Sequence, residues 1–170
     1  MRKIINFRNV LLLTLAFTFS FCSGDDSDSG QFPGVPSGEI VALELRQETL
    51  TGYSAKGVDA QKWWTHVVSN IDISGPEDCG EGQSIRNVGY FAFSPNGDLI
   101  FRTSKNGSTT TRGTWRWGND NKNTVYASDI GNVEFTLTYL NANNLVIASQ
   151  QAAGPCSATT YEQFNDPFVD

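Results

Sequence analysis

Val133-Glu134-Phe135-Thr136-Leu137-Thr138-Tyr139-Leu140, stopped by Asn141-Ala142-Asn143, carries the fold in miniature. Val133, Phe135, Leu137 and Tyr139 recur at a spacing of two, which sets them on one face of a β-strand with Glu134, Thr136 and Thr138 on the other. The same rhythm extends in both directions. Leu145 to Gln150 follows, and Asn123 to Asp129 precedes, ending at Gly131. Thr109 to Trp117 ends at Gly118-Asn119-Asp120-Asn121, with Thr109, Thr111, Gly113, Trp115 and Trp117 opposed to Thr110, Arg112, Thr114 and Arg116. Val88 to Ser94 and Asp98 to Ser104 are bounded by Pro95-Asn96-Gly97 and Asn106-Gly107, pairs that supply the positive φ of tight hairpins. Phe91, Phe93, Leu99 and Phe101 add aromatic and aliphatic mass to the inner face.

Six consecutive strands leave two open edges, which exported proteins commonly remove by closing the sheet. Glu39 to Arg46 is a candidate first strand, because Val41, Leu43 and Leu45 alternate with Ala42, Glu44 and Arg46; His66 to Ile73 is another. The expectation is an all-β protein, an antiparallel up-and-down meander closed into a β-barrel of about 8 strands. Trp63, Trp64, Val67, Val68 and Ile71 also recur at helical spacing, so Val58 to Asn70 reads as a short helix or an irregular lid, and 58–70 is the place for a helix in the barrel.

Three of the 12 basic residues, Arg2, Lys3 and Arg8, precede Cys22, and all 18 acidic residues follow it. Residues 1–21 read as a signal peptide: a basic start, then an apolar run from Val10 to Phe21, too short to cross a bilayer. Phe19-Ser20-Phe21-Cys22 resembles the lipobox of bacterial lipoproteins, which implies a lipidated Cys22. A plain secretory signal cut after Ser20 is the other reading. Residues 22–38 contain Asp25-Asp26-Ser27-Asp28 and almost nothing that fills a core, so they read as a solvated acidic tether rather than a calcium loop. The domain is then residues 39–170. The exported chain holds 9 basic against 18 acidic residues, formally −9, which argues against a nucleic-acid partner.

Removal of the signal leaves Cys79 and Cys156 as an even pair in an oxidising compartment, the setting for a disulfide. A metal site lacks further ligands, because His66 is the only histidine and no Cys-x-x-Cys occurs.

Gly113-Thr114-Trp115, the preceding Phe91-Ala92-Phe93-Ser94-Pro95-Asn96-Gly97-Asp98, and Phe135-Thr136-Leu137-Thr138-Tyr139-Leu140 with Asn144-Leu145-Val146-Ile147 together resemble the lipocalin-like lipoprotein domains of Bacteroidota. The resemblance is best over Cys79 to Gln150. It implies an eight-stranded barrel held to the outer membrane through Cys22, and the acidic tether is similar to the signal that sends such lipoproteins to the cell surface. True lipocalins carry Gly-x-Trp on the first strand, whereas Glu39 to Thr51 has none.

Little catalytic chemistry is written in the chain. His66 sits in Trp63-Trp64-Thr65-His66-Val67-Val68 with no nucleophile motif, and Glu77, Asp78 and Glu81 fall in a loop rather than on facing strand ends. No phosphate loop is present in the sequence. The expectation is therefore a binding module, not an enzyme, without a cofactor. Phe91, Phe93, Trp115, Trp117, Phe135 and Tyr139 are the candidates to line a cavity for a small hydrophobic or amphiphilic ligand, or else to fill the barrel themselves. Trp63 and Trp64 are candidates for a surface contact, in an accessory lipoprotein of a glycan-capture or secretion assembly that binds glycan or a protein partner.

Overall fold

The computed structural model describes residues 32–52, 61–86, 88–130 and 133–168. The signal peptide, Cys22 and the tether as far as residue 31 lie outside the described residues. Among the described residues one α-helix, α1 (Leu43–Thr51), precedes nine strands: β1 (Trp64–Ser74), β2 (Gln83–Ile85), β3 (Tyr90–Phe93), β4 (Asp98–Arg102), β5 (Thr110–Trp117), β6 (Thr124–Ala127), β7 (Val133–Leu140), β8 (Asn144–Ala153) and β9 (Cys156–Asn165). Strands β3 to β9 form an antiparallel meander in chain order. β9 then pairs along β1, and β1 pairs with β3, which closes eight strands into a barrel. β2 is a short flap on β1 beyond the end of β3.

Two expectations near the N-terminus are corrected. Glu39 to Arg46 is not a barrel strand: Leu43-Glu44-Leu45-Arg46-Gln47-Glu48 is a run of good helix formers, and Leu43 and Leu45 are exposed on α1. Of the proposed pairing only a parallel bridge, Ile40 to Leu140, remains. It lies on the β7 edge that β6 has left, since β6 pairs no further along β7 than Thr136. The 58–70 helix is absent from its described part, residues 61–70, where β1 begins at Trp64. The eighth barrel strand is instead β9, from a tail that contains Thr159, Thr160, Tyr161 and Phe164, all good strand formers.

α1 closes one end of the barrel. It touches both β3 and β7, which stand on opposite sides of the ring. Leu50 is fully buried, and the Trp64 indole N–H donates to its carbonyl at 3.0 Å. Around this plug the core gathers Trp115, Phe135, Leu140, Leu145 and Phe164. At the other end the long strands β1, β8 and β9 run on past their short neighbours as a tongue, whose tip is crossed by the Cys79–Cys156 disulfide. A strap before α1 covers the outside of β7: Gly38 N–H donates to Thr138 O, and Thr138 Oγ1 donates to Pro36 O.

Bulges reset the inward face at three places. In β7 the shift between Leu137 and Tyr139 turns Leu140 into the core and leaves Tyr139 half-buried, its ring against Gly38 under the strap. In β5, Leu99 faces Gly113 while Ile100 faces Thr111, so Arg112 is the extra residue and Thr111 joins the outer face with Ile100. The third bulge, in β1 beside Val67, builds the candidate site.

Candidate functional site

Along β1, His66 faces Phe164 of β9, and after the shift Val68 faces Gln163 and Ser69 faces Glu162. Residues three apart on a regular strand point to opposite faces. The extra residue, Val67, brings His66 and Ser69 to the same inner face, with Glu162 between them. His66 Nε2 meets Glu162 Oε2 at 2.9 Å, and the Ser69 hydroxyl donates to Glu162 Oε1 at 2.7 Å. His66 and Glu162 are buried, at 6% and 7% exposure.

This polar cluster lies on the wall of a cavity of about 200 Å³ inside the barrel. Phe91, Phe93, Leu99, Ala127, Ile147 and Phe164 supply its apolar lining. The His66 ring packs edge-on to Phe164 at 5.3 Å and tilted to Phe91 at 6.2 Å, so its orientation is held by both bond and packing. Asp129, exposed, also borders the cavity and marks where it meets solvent. The interior is thus partly filled and partly open, the two outcomes that an eight-stranded barrel allows.

The mouth owes its shape to Gly113. A short 3-10 turn, Ser128–Ile130, folds in over this glycine, where a Cβ would lie 2.3 Å from Ser128 Oγ and 3.2 Å from Asp129 N. The room is used by a hydrogen bond from Thr114 N–H to Ser128 Oγ at 2.8 Å. We expect Gly113→Ala to push this turn outward and to destabilise the fold by about 1–3 kcal/mol, the usual cost of overpacking. Chemical denaturation checks the magnitude, and an unchanged midpoint would mean that the turn yields freely.

The sequence-derived candidates separate into groups. Phe91 and Phe93 line the cavity. Trp115 and Phe135 are buried in the core, with Trp115 Nε1 donating to Ser94 O at 2.8 Å. Trp117 is half-buried and bonds through Nε1 to Gln47 of α1. Tyr139 lies under the strap. Trp64, fully buried, is no surface residue; Trp63 beside it borders an outer groove. Glu162 and Ser69 carry no motif in the sequence, and His66 stands there without a nucleophile beside it. The available signal was a lone acid alternating with Phe164 in a strand-forming tail.

Among the described residues, no group of three or more His, Cys, Asp or Glu side chains is placed to hold a metal ion. No family model matches the chain, and no curated protein matches it. The arrangement itself offers an apolar wall with one hydrogen-bonding station, a form suited to holding a small molecule by one polar end.

Proposed function

We propose that this protein is a surface-anchored lipoprotein whose barrel binds a small amphiphile, apolar body against Phe91, Phe93 and Phe164, polar group at His66 and Glu162. The lipid anchor at Cys22, the outer-membrane location and the kinship with lipocalin-like lipoproteins are supported by the sequence patterns at residues 1–38 and 79–150. Two acyl chains would hold such a protein stably, at about 0.8 kcal/mol per buried methylene.

The observation that carries the lumenal reading is the buried His66–Glu162–Ser69 cluster on an apolar cavity wall. Placing a histidine and a carboxylate in a barrel interior is costly, and apolar substitutes of similar volume are often neutral or stabilising. A few polar groups converging on an otherwise apolar cavity are what a small-molecule site uses to fix its ligand. Size narrows the cargo: a cavity of about 150 Å³ holds benzene. The 200 Å³ here suits one ring or a short chain, not a full fatty-acid tail.

The test is titration with p-cresol and with toluene, followed by protein NMR. Saturable shifts at Ala127 and Ile147 are expected for p-cresol, with toluene weaker by about tenfold because it has no hydroxyl to donate to the Glu162 carboxylate. Glu162→Gln is expected to remove that preference. If neither compound saturates at millimolar concentration, or both bind alike, the lumenal assignment fails.

A further inference from the structure

We infer that a groove on the outer wall, separate from the lumen, binds a sugar that bears a carboxylate. β4 turns Leu99 and Phe101 into the barrel, which leaves Ile100 and Arg102 facing out. Trp63 borders the same outer surface. Together with Lys105, Asn106 and Thr109 they line a groove of about 660 Å³, in the range of pockets that take a ligand of disaccharide size.

Charge decides the ligand class. The chain is formally −6, yet the described lining of this groove contains Arg102 and Lys105 and no acidic residue. Among the described residues no ion pair reaches either cation, whereas Lys62 nearby is paired with Asp166. Two cations without acids on an acidic protein form a local positive field suited to an anion.

Geometry narrows the class further. The guanidinium carbon of Arg102 lies 3.8 Å from the Trp63 ring centre and 5.5 Å from that of Tyr90. These rings hold the guanidinium without satisfying its in-plane donors. Arg102 Nε is buried and has no hydrogen-bond partner among the described residues. Such a donor is met by a bound water or ligand oxygen, or by a group beyond the described residues. A planar guanidinium matches a carboxylate through two parallel N–H···O bonds, and one already oriented by aromatic rings loses less freedom on binding. Beside it the exposed Asn106 amide and Thr109 hydroxyl present neutral donors and acceptors, the complement of ring hydroxyls. A carboxylate on a polyhydroxylated body satisfies all of these groups together.

The site is independent of the cavity around His66, and it turns the glycan alternative into a specific chemistry with Trp63 as the support for Arg102. Isothermal titration of the protein with digalacturonate, with its neutral methyl ester and with hexaglutamate is the experiment. Digalacturonate is expected to bind about tenfold tighter than the ester, with affinity falling as salt rises. Arg102→Lys, which keeps the charge and loses the fork, is expected to weaken the acid about tenfold and leave the ester unchanged. Lys105→Gln, at an exposed position, is expected to give a smaller loss and a shallower salt dependence, and it serves if Arg102→Lys folds poorly. Equal affinity for acid and ester, full affinity in Arg102→Lys, or tighter binding of hexaglutamate would each overturn the proposal. Binding of p-cresol in Arg102→Lys should match the parent protein, so the two sites fail or stand separately.

Discussion

Replacing Cys79 and Cys156 with serine is expected to lower the free energy of unfolding by about 4.5 kcal/mol, the value of the chain-entropy model for a closed loop of about 78 residues. The cysteines are 77 apart in sequence and their Cα atoms are 5.6 Å apart, so the bridge closes a loop that spans almost the entire meander. Most of the barrel, from β3 to β8, lies inside it. For a domain of this size the loss corresponds to a fall in melting temperature of about 9–18 °C. The measurement is a pair of thermal melts, with and without reductant, alongside the double serine variant. Coincident melts would mean that the tongue frays before the barrel unfolds and that the bridge restrains only its tip.

Trp64→Ala is expected to cost about 3–5 kcal/mol, as large-to-small changes of buried aromatics do. Two terms add at this site. The side chain is fully buried in the core beneath α1, so its removal leaves a cavity between the plug and the barrel wall. Its indole N–H also satisfies the Leu50 carbonyl, and an unpaired buried carbonyl costs about 1–3 kcal/mol more unless water enters. Trp64→Phe keeps most of the volume and removes the bond, so it should fall between the parent and alanine. Trp63→Ala, on the outer face, should cost less than half as much, because Trp63 is only half-buried and anchors no helix. Equal losses at the two tryptophans would contradict the assignment of their faces.

That contrast shows what could be read from the chain and what could not. Adjacent tryptophans on a strand must face opposite ways; His66 to Ile73 also reads as the strand that β1 is, but the helical spacing of Trp63, Trp64, Val67, Val68 and Ile71 hid where it begins. The bulge at Val67 is the physical reason. It inserts one residue into a period of two, so that inward positions run Trp64, His66, Ser69. The hairpins from β3 to β8 were legible because their turns are written locally in Asn96-Gly97, Asn106-Gly107 and Asn141-Ala142-Asn143. β9 also has a local hairpin with β8 and good strand formers, whereas its closure onto β1 joins residues more than 80 apart and no local signal records that contact. The same holds for the candidate site: His66 and Glu162 meet across 96 residues, through closure of the barrel rather than through any motif. At Leu43 and Leu45 a three-residue alternation was too short to separate strand from helix, and the Glu-, Arg- and Gln-rich surroundings favoured the helix.

The ring of strands is stitched unevenly. β8 and β9 share ten residue pairs, whereas among the described residues β1 and β3 meet only at Trp64–Phe91 and Thr65–Tyr90. Local opening concentrates where the fewest backbone bonds must break. This thin suture borders the cavity through His66 and Phe91, so a guest need not travel the length of the tube: parting two rungs sideways would uncover its berth while the remaining wall stays intact.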